Sequence, residues 1–215
     1  MKLYIYDHCP YCVKARMIFG IKDVPFTLVT LRNDDEATPI SMVGKKLVPI
    51  LEKADGQCMP ESMDIVRYID ALDGTPMLRA EDDHHPIAAW CAGARDYLYA
   101  LAMPRWVCAP LEEFATESAR SYFIHKKEQM IGNFSDLIQQ SEGLIEQANQ
   151  HLLALESLLH PNRLKAGWSE HDIHLFAILR SLSIVRGLRY PTHVDAYRLE
   201  VAQRTHIPLH DEYAS

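Results

Sequence analysis

The sequence predicts a small α/β domain at the N-terminus followed by an all-helical domain. Short apolar runs alternate with amphipathic segments over residues 1–75 in the order β-α-β-α-β-β-α. Residues 76–85 are polar and charged and include Pro76, which is typical of a linker. Residues 86–215 carry long charged helical patterns and no convincing strand pattern. We therefore expect two domains, 1–75 and 86–215, joined by a linker at 76–85.

Each element of the first domain has a local signal. The strands are apolar, β-branched or aromatic, and the helices begin with acidic or capping residues and end at glycine. Strands are predicted at 3–6, 25–31 and 47–52, a hairpin turn at 54–57, and helices at 13–20, 33–44 and 61–70. Gly20 is predicted to terminate the first helix as its C′ residue.

The second domain is predicted to be a helical bundle. Pro86 suits the first turn of a helix running to Pro104, whose ring is expected to end or kink it. Ser169 and Asp172 form a capping-box pattern ahead of an apolar run. Further helices are predicted at 116–129, 133–159 and 194–204. We expect this bundle to support the functional site without taking part in the chemistry, with Tyr97, Met103 and Arg105 serving for packing or lying on the surface.

Composition and charge exclude several classes of function. The formal net charge is −7 and no Lys/Arg stripe is present, which argues against a nucleic-acid partner. Charges interrupt every apolar stretch before the ~18 residues that a membrane span needs. Asp7 comes too early for the apolar core of a signal peptide. We expect a cytoplasmic protein with no membrane association.

The candidate site is the run Cys9-Pro10-Tyr11-Cys12 between the first strand and the first helix. A cysteine at a helix N-terminus faces free backbone N–H groups and the positive end of the helix dipole, and both favour the thiolate. Only a thiolate attacks a disulfide sulfur. Cys12 follows one turn later and is expected to be less exposed. We therefore interpret Cys9 as the nucleophile and Cys12 as the resolving thiol.

Other interpretations of the pair remain open at this point. The two cysteines are consistent with half of a zinc site, but no second ligand pair has suitable spacing. An iron–sulfur role would need cysteinates from elsewhere, and a chance spacing of two thiols is the third possibility. We expect no metal. Cys58, Cys91 and Cys108 are scattered, and we interpret them as thiols with the role of small buried or half-buried apolar residues.

The quoted residues resemble a known family. Cys9-Pro10-Tyr11-Cys12 resembles the active site of dithiol glutaredoxins, and Val48-Pro49 resembles the cis-proline element of the thioredoxin fold. Glu61-Ser62 is similar to the γ-glutamyl-binding motif of glutathione transferases, whose helical domain carries a capping box like that of Ser169 and Asp172. Over nearly its whole length the chain resembles the bacterial glutaredoxin 2 family. This resemblance implies a thioredoxin-like first domain in a two-domain architecture similar to that of glutathione transferases.

The resemblance also implies a binding site for glutathione as co-substrate. A cis Val48-Pro49 bond would present the Val48 backbone to the cysteinyl part of glutathione, although Pro49 alternatively begins an ordinary strand. Ser62 and the helix N-terminus would hold the γ-glutamyl carboxylate and Glu61 its ammonium, unless the two residues merely cap the helix. Tyr11 would flank the bound molecule, and Lys46 would meet one of its carboxylates.

The activity expected from the resemblance is glutathione-dependent reduction of disulfides and glutathionylated thiols. We expect no tightly bound cofactor, and we expect glutathione, protein disulfides and glutathionylated proteins as partners of a monomer. Two alternatives remain. One is a glutathione transferase or an enzyme like dehydroascorbate reductase, and the other is a glutathione-binding stress or interaction module with a vestigial site. Cys9 stands where transferases place the group that activates glutathione, which favours dithiol chemistry.

Overall fold

The first domain is built on a four-stranded mixed sheet. The computed structural model describes residues 1–79 and 85–215, so residues 80–84 of the predicted linker lie outside the described part. The strands are β1 Lys2–Ile5, β2 Thr27–Thr30, β3 Ile50–Glu52 and β4 Cys58–Met59, and the helices are α1 Pro10–Ile21, α2 Ala37–Val43 and α3 Ser62–Asp70. The sheet order is β2-β1-β3-β4, in which β1 runs parallel to β2 and antiparallel to β3. The predicted order of elements is confirmed.

Strand β1 is the inner strand that carries the site at its end. Leu3 pairs with Leu28 on one side and with Leu51 on the other, and the side chains of Leu3, Ile5 and Leu51 are fully buried. Helices α1 and α3 pack against each other over this core. The hairpin turn forms as predicted, because Gly56 adopts a positive φ of 82° and Asp55 Oδ1 accepts from the Gln57 N–H at 2.9 Å.

The second domain is helical throughout its described residues. Its α-helices are α4 Pro86–Gly93, α5 Arg95–Trp106, α6 Glu117–Ile131, α7 Phe134–Gln139, α8 Ser141–Glu156, α9 Glu170–Leu182 and α10 Thr192–Thr205. The predicted helix from Pro86 is two helices that meet at Ala94, and the predicted 133–159 helix is interrupted at Gln140. Pro104 does not end α5, which continues to Trp106. A proline this close to the end removes only one intrahelical hydrogen bond, so the last turn survives.

Helix α9 is the central element of the molecule. Ser169 caps it, and the Ser169 and Asp172 side chains make both hydrogen bonds of the predicted capping box. The apolar side chains predicted to form the bundle core, Ile173, Phe176, Leu179 and Leu182, are all fully buried. Helix α9 packs against α4 and α5 and also against α1 of the first domain. The apolar core is therefore continuous between the domains.

The prediction that Gly20 ends the first helix is wrong. Helix α1 continues to Ile21, and Gly20 lies inside it. A Cβ at Gly20 would lie 2.4 Å from the backbone oxygen of Thr205 in α10. This glycine therefore permits the close approach of α1 to α10, which local sequence does not reveal.

Within residues 1–79 and 85–215, none of the helices combines the length and the apolar character that a membrane span requires.

Candidate active site

The two paired cysteines occupy different environments at the start of α1. Cys9 is the N-cap residue and is half-buried, whereas Cys12 lies one turn later with its side chain fully buried. Pro10 occupies the first helical position, where its missing N–H costs no hydrogen bond. Both cysteines are free thiols. An accessible sulfur beside a buried one matches the roles predicted for the pair.

Local hydrogen bonds and charge favour the thiolate of Cys9. The hydrogen bond from the Cys12 side chain, the charge of His8 and the backbone N–H groups of Cys12 and Tyr11 together lower the pKa of Cys9 to about 6, against the opposing effect of burial. Burial and the neighbouring Cys9 raise the pKa of Cys12. At pH 7 the first sulfur is mainly ionised and the second is a thiol.

Sequence reasoning did not identify the residue that binds His8. The buried His8 directly precedes the nucleophile, and its ring Nδ1 lies 2.6 Å from Oε1 of Glu113 in the second domain. Glu113 belongs to a short 3-10 helix, Glu112–Phe114, and its side chain is fully buried. The two residues are 105 positions apart, and nothing in the local pattern around Glu113 distinguishes it from an exposed acidic residue.

A groove that Tyr11 lines, two residues after Cys9, collects most of the residues predicted to bind glutathione. It is lined by Leu47 and by the five predicted residues Tyr11, Val48, Pro49, Glu61 and Ser62. The Val48-Pro49 peptide bond is cis, as expected. These residues come from three separate parts of the chain, and the fold brings them together at the sheet edge next to α1.

Glu61 and Ser62 form the start of α3 in an unusual conformation. Glu61 is the N-cap residue with a φ of 72°, a region that non-glycine residues rarely adopt, and its exposed side chain makes no capping hydrogen bond. Ser62 is buried at the first helical position. The backbone N–H groups of this helix end therefore remain available to an anion.

Lys46 lies apart from the groove lining. Its Nζ donates to the backbone oxygen of Asn33 at 2.5 Å and lies 3.5 Å from the centre of the Tyr122 ring in α6. Burial lowers the pKa of Lys46 to about 8. The structure thus places this cation at the contact between the two domains.

A larger cavity of about 270 Å³, which Tyr11 also lines, lies between α1 and the second domain. Its lining includes Lys14 and Tyr99 as well as Cys91, whose pKa burial raises to about 12. Cys58 and Cys91 are half-buried, as predicted. The prediction is wrong for Cys108, which is exposed because it follows the end of α5.

Comparisons with known proteins agree with this geometry. The family model described as "Glutathione S-transferase, N-terminal domain" matches residues 3–77, and the model "Glutaredoxin 2, C terminal domain" matches residues 86–214. The chain is 49% identical over 210 residues to Glutaredoxin 2 of Escherichia coli strain K12, with 97% of each chain covered.

Solved structures extend the comparison. Glutaredoxin 2 from Salmonella typhimurium, solved in complex with glutathione, superposes with a TM-score of 0.95 at 47% identity, covering 100% of this chain and 98% of that one. A glutathione S-transferase of Ceriporiopsis subvermispora gives a TM-score of 0.69 at 14% identity, covering 100% and 97% of the two chains, and shares the fold. The resemblance inferred from the cysteine pair and the glutathione motifs is confirmed: the chain belongs to the glutaredoxin 2 family.

Proposed function

We propose that this protein is a glutathione-dependent oxidoreductase that reduces disulfides and glutathionylated thiols through Cys9 and Cys12. The observation that carries the proposal is the position of Cys9. Cys9 is half-buried at the N-terminus of α1, its pKa is lowered to about 6, and Tyr11, two residues later, lines the groove together with Pro49 and Ser62. A reactive thiolate thus begins the helix whose Tyr11 lines a surface suited to a γ-glutamyl peptide.

The first step is attack of the Cys9 thiolate on the glutathione sulfur of a mixed disulfide. A bond forms between Cys9 Sγ and that sulfur, the original disulfide breaks, and the substrate thiolate leaves and takes a proton from water. The leaving protein is reduced and Cys9 is oxidised to its glutathione mixed disulfide. The lowered pKa of Cys9 supplies the attacking anion at neutral pH.

The mixed disulfide is resolved in one of two ways. The thiolate of a second glutathione attacks the bound glutathione sulfur, which gives oxidised glutathione and regenerates the Cys9 thiolate. Alternatively, Cys12 loses its proton as it attacks Cys9 Sγ, which forms the Cys9–Cys12 disulfide and releases glutathione. The buried position of Cys12 restricts it to this internal attack.

Glutathione is proposed to bind along the groove. Ser62 and the free N–H groups of α3 hold the γ-glutamyl carboxylate, Glu61 accepts from the ammonium, and the Val48 backbone pairs with the cysteinyl residue. Tyr11 covers one side, and Lys46 meets a carboxylate once it leaves Asn33. The Salmonella typhimurium relative was solved in complex with glutathione, which supports glutathione as the ligand.

Conjugation would need a group near the end of β1 that activates the glutathione thiol. Tyr6, which directly follows β1, is the alternative to Cys9 for that role, and its environment argues against conjugation as the main activity. Its hydroxyl is buried and has no hydrogen-bond partner among the described residues. Burial raises the pKa of this phenol. A neutral, enclosed phenol is poorly suited to activate a glutathione thiol, so Cys9 is the better candidate for the reacting group.

The test is a coupled assay of glutathione-dependent reduction with a small glutathione mixed disulfide and a protein disulfide. Cys9→Ser should lose turnover on both substrates. Cys12→Ser should keep turnover on the mixed disulfide, because free glutathione resolves the intermediate, and lose it on the protein disulfide. Cys108→Ser is the matched control and should behave as the wild type.

Three outcomes would contradict the proposal. An active Cys9→Ser with an inactive Cys12→Ser would reverse the roles. Conjugation of an aryl halide without thiol exchange would indicate a transferase, and glutathione binding with no turnover on any disulfide would indicate a binding module. Dehydroascorbate is offered as a separate substrate in the same assay, because a dehydroascorbate-reductase-like enzyme is one of the alternatives.

We further propose that the protein acts in the cytoplasm as a monomer, with glutathionylated proteins and protein disulfides as partners. The proposed chemistry needs Cys9 and Cys12 as reduced thiols, which a reducing compartment maintains. Sedimentation at micromolar concentration tests the monomer, and a mass near twice 24.6 kDa would overturn it.

A further inference from the structure

We propose that Glu113 of the second domain is a positioning residue for the nucleophile: it holds the ring and the main chain of His8 next to Cys9, and so the helical domain sets the reactivity of the thiolate. This inference rests on the proposed function in taking Cys9 as the nucleophile. It adds a role for two buried residues that the steps above do not use. The argument begins with their geometry.

One oxygen of Glu113 receives two hydrogen bonds from the same residue. Oε1 lies 2.9 Å from the backbone nitrogen of His8 and 2.6 Å from its ring Nδ1. The second distance lies at the short end of the range for hydrogen bonds between ionised partners. The two contacts fix both the main chain and the ring of the residue before Cys9. The position of the imidazole is therefore determined by the second domain.

The surroundings of the pair make a charge without hydrogen-bond partners costly. His8 is 5% exposed and Glu113 is fully buried. Four aromatic rings surround the imidazole, with centroid distances of 5.0 to 5.8 Å: Tyr6, Trp106, Phe114 and Phe123. A lone charge in such a site is strongly unfavourable, whereas a hydrogen-bonded ion pair is tolerated.

The ionised form of Glu113 is favoured. Burial alone would raise the pKa of Glu113, but the hydrogen bonds and charge of His8 outweigh it, and the pKa of this carboxyl is lowered. The carboxylate is thus present at neutral pH and accepts both hydrogen bonds from His8. The charge of His8 is in turn one of the causes that lower the pKa of Cys9.

Several other titratable groups lie near Cys9. Besides His8, the groups that interact with it electrostatically are Cys12, Tyr6, Tyr99 and Lys14. The tyrosines and Cys12 are neutral at pH 7, since burial raises the pKa of each, so Lys14 is the one among these four that adds positive charge, and the variants proposed below leave it unchanged. On the far side, His210 interacts with His8, and Arg180 interacts with Glu113.

The test is Glu113→Gln, which preserves shape but removes the negative charge. Without it the contact that holds His8 is weakened, the favourable effect of His8 on the Cys9 thiolate is reduced, and the midpoint of Cys9 labelling by iodoacetamide against pH should rise by about one unit. Labelling at pH 6 should fall about fivefold, and the two proteins should label equally at pH 9, where both sulfurs are ionised. Peptide mass spectrometry identifies the labelled residue.

The control is Arg67→Gln, which removes a different contact between the domains. Arg67 Nε lies 2.9 Å from Glu170 Oε1, and the exposed arginine side chain has no part in the groove. Its labelling midpoint should match that of the wild type. An unmoved midpoint in folded Glu113→Gln, or an equal shift in both variants, would overturn the proposal.

One further variant keeps the proposal testable if Glu113→Gln does not fold, and an unmoved labelling midpoint in folded His8→Gln would overturn the inference. His8→Gln should raise the labelling midpoint as Glu113→Gln does, and the double variant should shift it no further, because the two residues act as one unit.

These results separate the inference from the proposed function. Labelling measures the thiolate and needs no substrate. A low midpoint in the wild type that rises in Glu113→Gln, without any disulfide reduction by either protein, would support the inference and refute the function. Normal disulfide reduction by both proteins, with an unmoved labelling midpoint in Glu113→Gln, would support the function and refute the inference.

Discussion

Arg180 in the second domain binds Asp7 in the first, with Nη2 2.7 Å from the carboxylate oxygen Oδ2 and Nη1 2.5 Å from the backbone oxygen. The arginine side chain is 1% exposed and also donates to the backbone oxygen of Pro208. Arg16 and His210 contact the same carboxylate. This buried network fixes the end of β1 two residues before Cys9 and joins α9 to it.

Arg180→Met should destabilise the protein by about 3–5 kcal/mol, because it leaves a largely buried carboxylate with fewer partners. The measurement is urea unfolding followed by circular dichroism. Arg189→Met is the matched control, since its ion pair with Glu146 is exposed, and it should change stability little. Equal losses in the two variants would show that burial of the Asp7 network contributes nothing.

The stability of the protein should depend on pH through Asp7. Burial alone would raise the pKa of this carboxyl, but hydrogen bonds and charges from His210, Arg180 and Arg16 lower it well below the usual range. A carboxyl with a lowered folded-state pKa stabilises the protein fully above the unfolded-state value of about 4. Its contribution is lost progressively as the pH falls below that value. Asp7→Asn should therefore be less stable than the wild type at pH 7, and the difference should shrink below pH 4.

Gly20→Ala and Gly143→Ala should change stability in opposite directions. At Gly20 a Cβ would collide with the Thr205 backbone, so α1 and α10 must separate, at a cost of about 1–3 kcal/mol. At Gly143, inside α8, nothing lies within 4 Å of the added Cβ, and alanine should stabilise by about 0.4–1 kcal/mol. Thermal unfolding of both variants gives the comparison. An unchanged stability of Gly20→Ala would mean that α1 and α10 are not packed closely enough for the added Cβ to collide with the Thr205 backbone.

Ser169→Ala should lower stability by about 0.5–2 kcal/mol, because the capping box of α9 is lost. Turnover per folded molecule at low temperature should stay near that of the wild type. Thr116→Ala removes the N-cap of α6 and serves as the matched control for loss of a cap outside the central helix. Loss of turnover in fully folded Ser169→Ala would show that α9 acts on the reaction directly.

Cys9 should be the first cysteine labelled by iodoacetamide at pH 6–7 in the reduced protein. Its pKa is lowered to about 6, whereas burial raises the pKa of Cys91 to about 12 and that of Cys12 well above its usual value. Peptide mass spectrometry at short reaction times gives the order. Faster labelling of Cys91 or Cys12 would contradict the account of the helix N-terminus.

The sequence was informative where a function depends on neighbouring residues. The cysteine pair, the Val48-Pro49 element, Glu61-Ser62 and the capping box are all short motifs, and each lies where the pattern predicts. The roles of Gly20 and Glu113 depend on contacts between segments far apart in the chain. The sequence next to each residue does not indicate those contacts. Arg180 offered a partial signal, because it is a charged residue on the buried stripe of α9.

The consecutive residues Asp7 and His8 limit how this chain can recombine with others. Each has a partner in the second domain. A chimera that kept residues 1–75 and took a foreign helical domain would leave Asp7 with Arg16 as its remaining cation and His8 without Glu113, beside the nucleophile. Exchange of either domain is expected to require matching residues at positions 113 and 180. Substitutions at the contacting positions of the two domains are therefore expected to be correlated in evolution, although the cysteine motif belongs to only one domain.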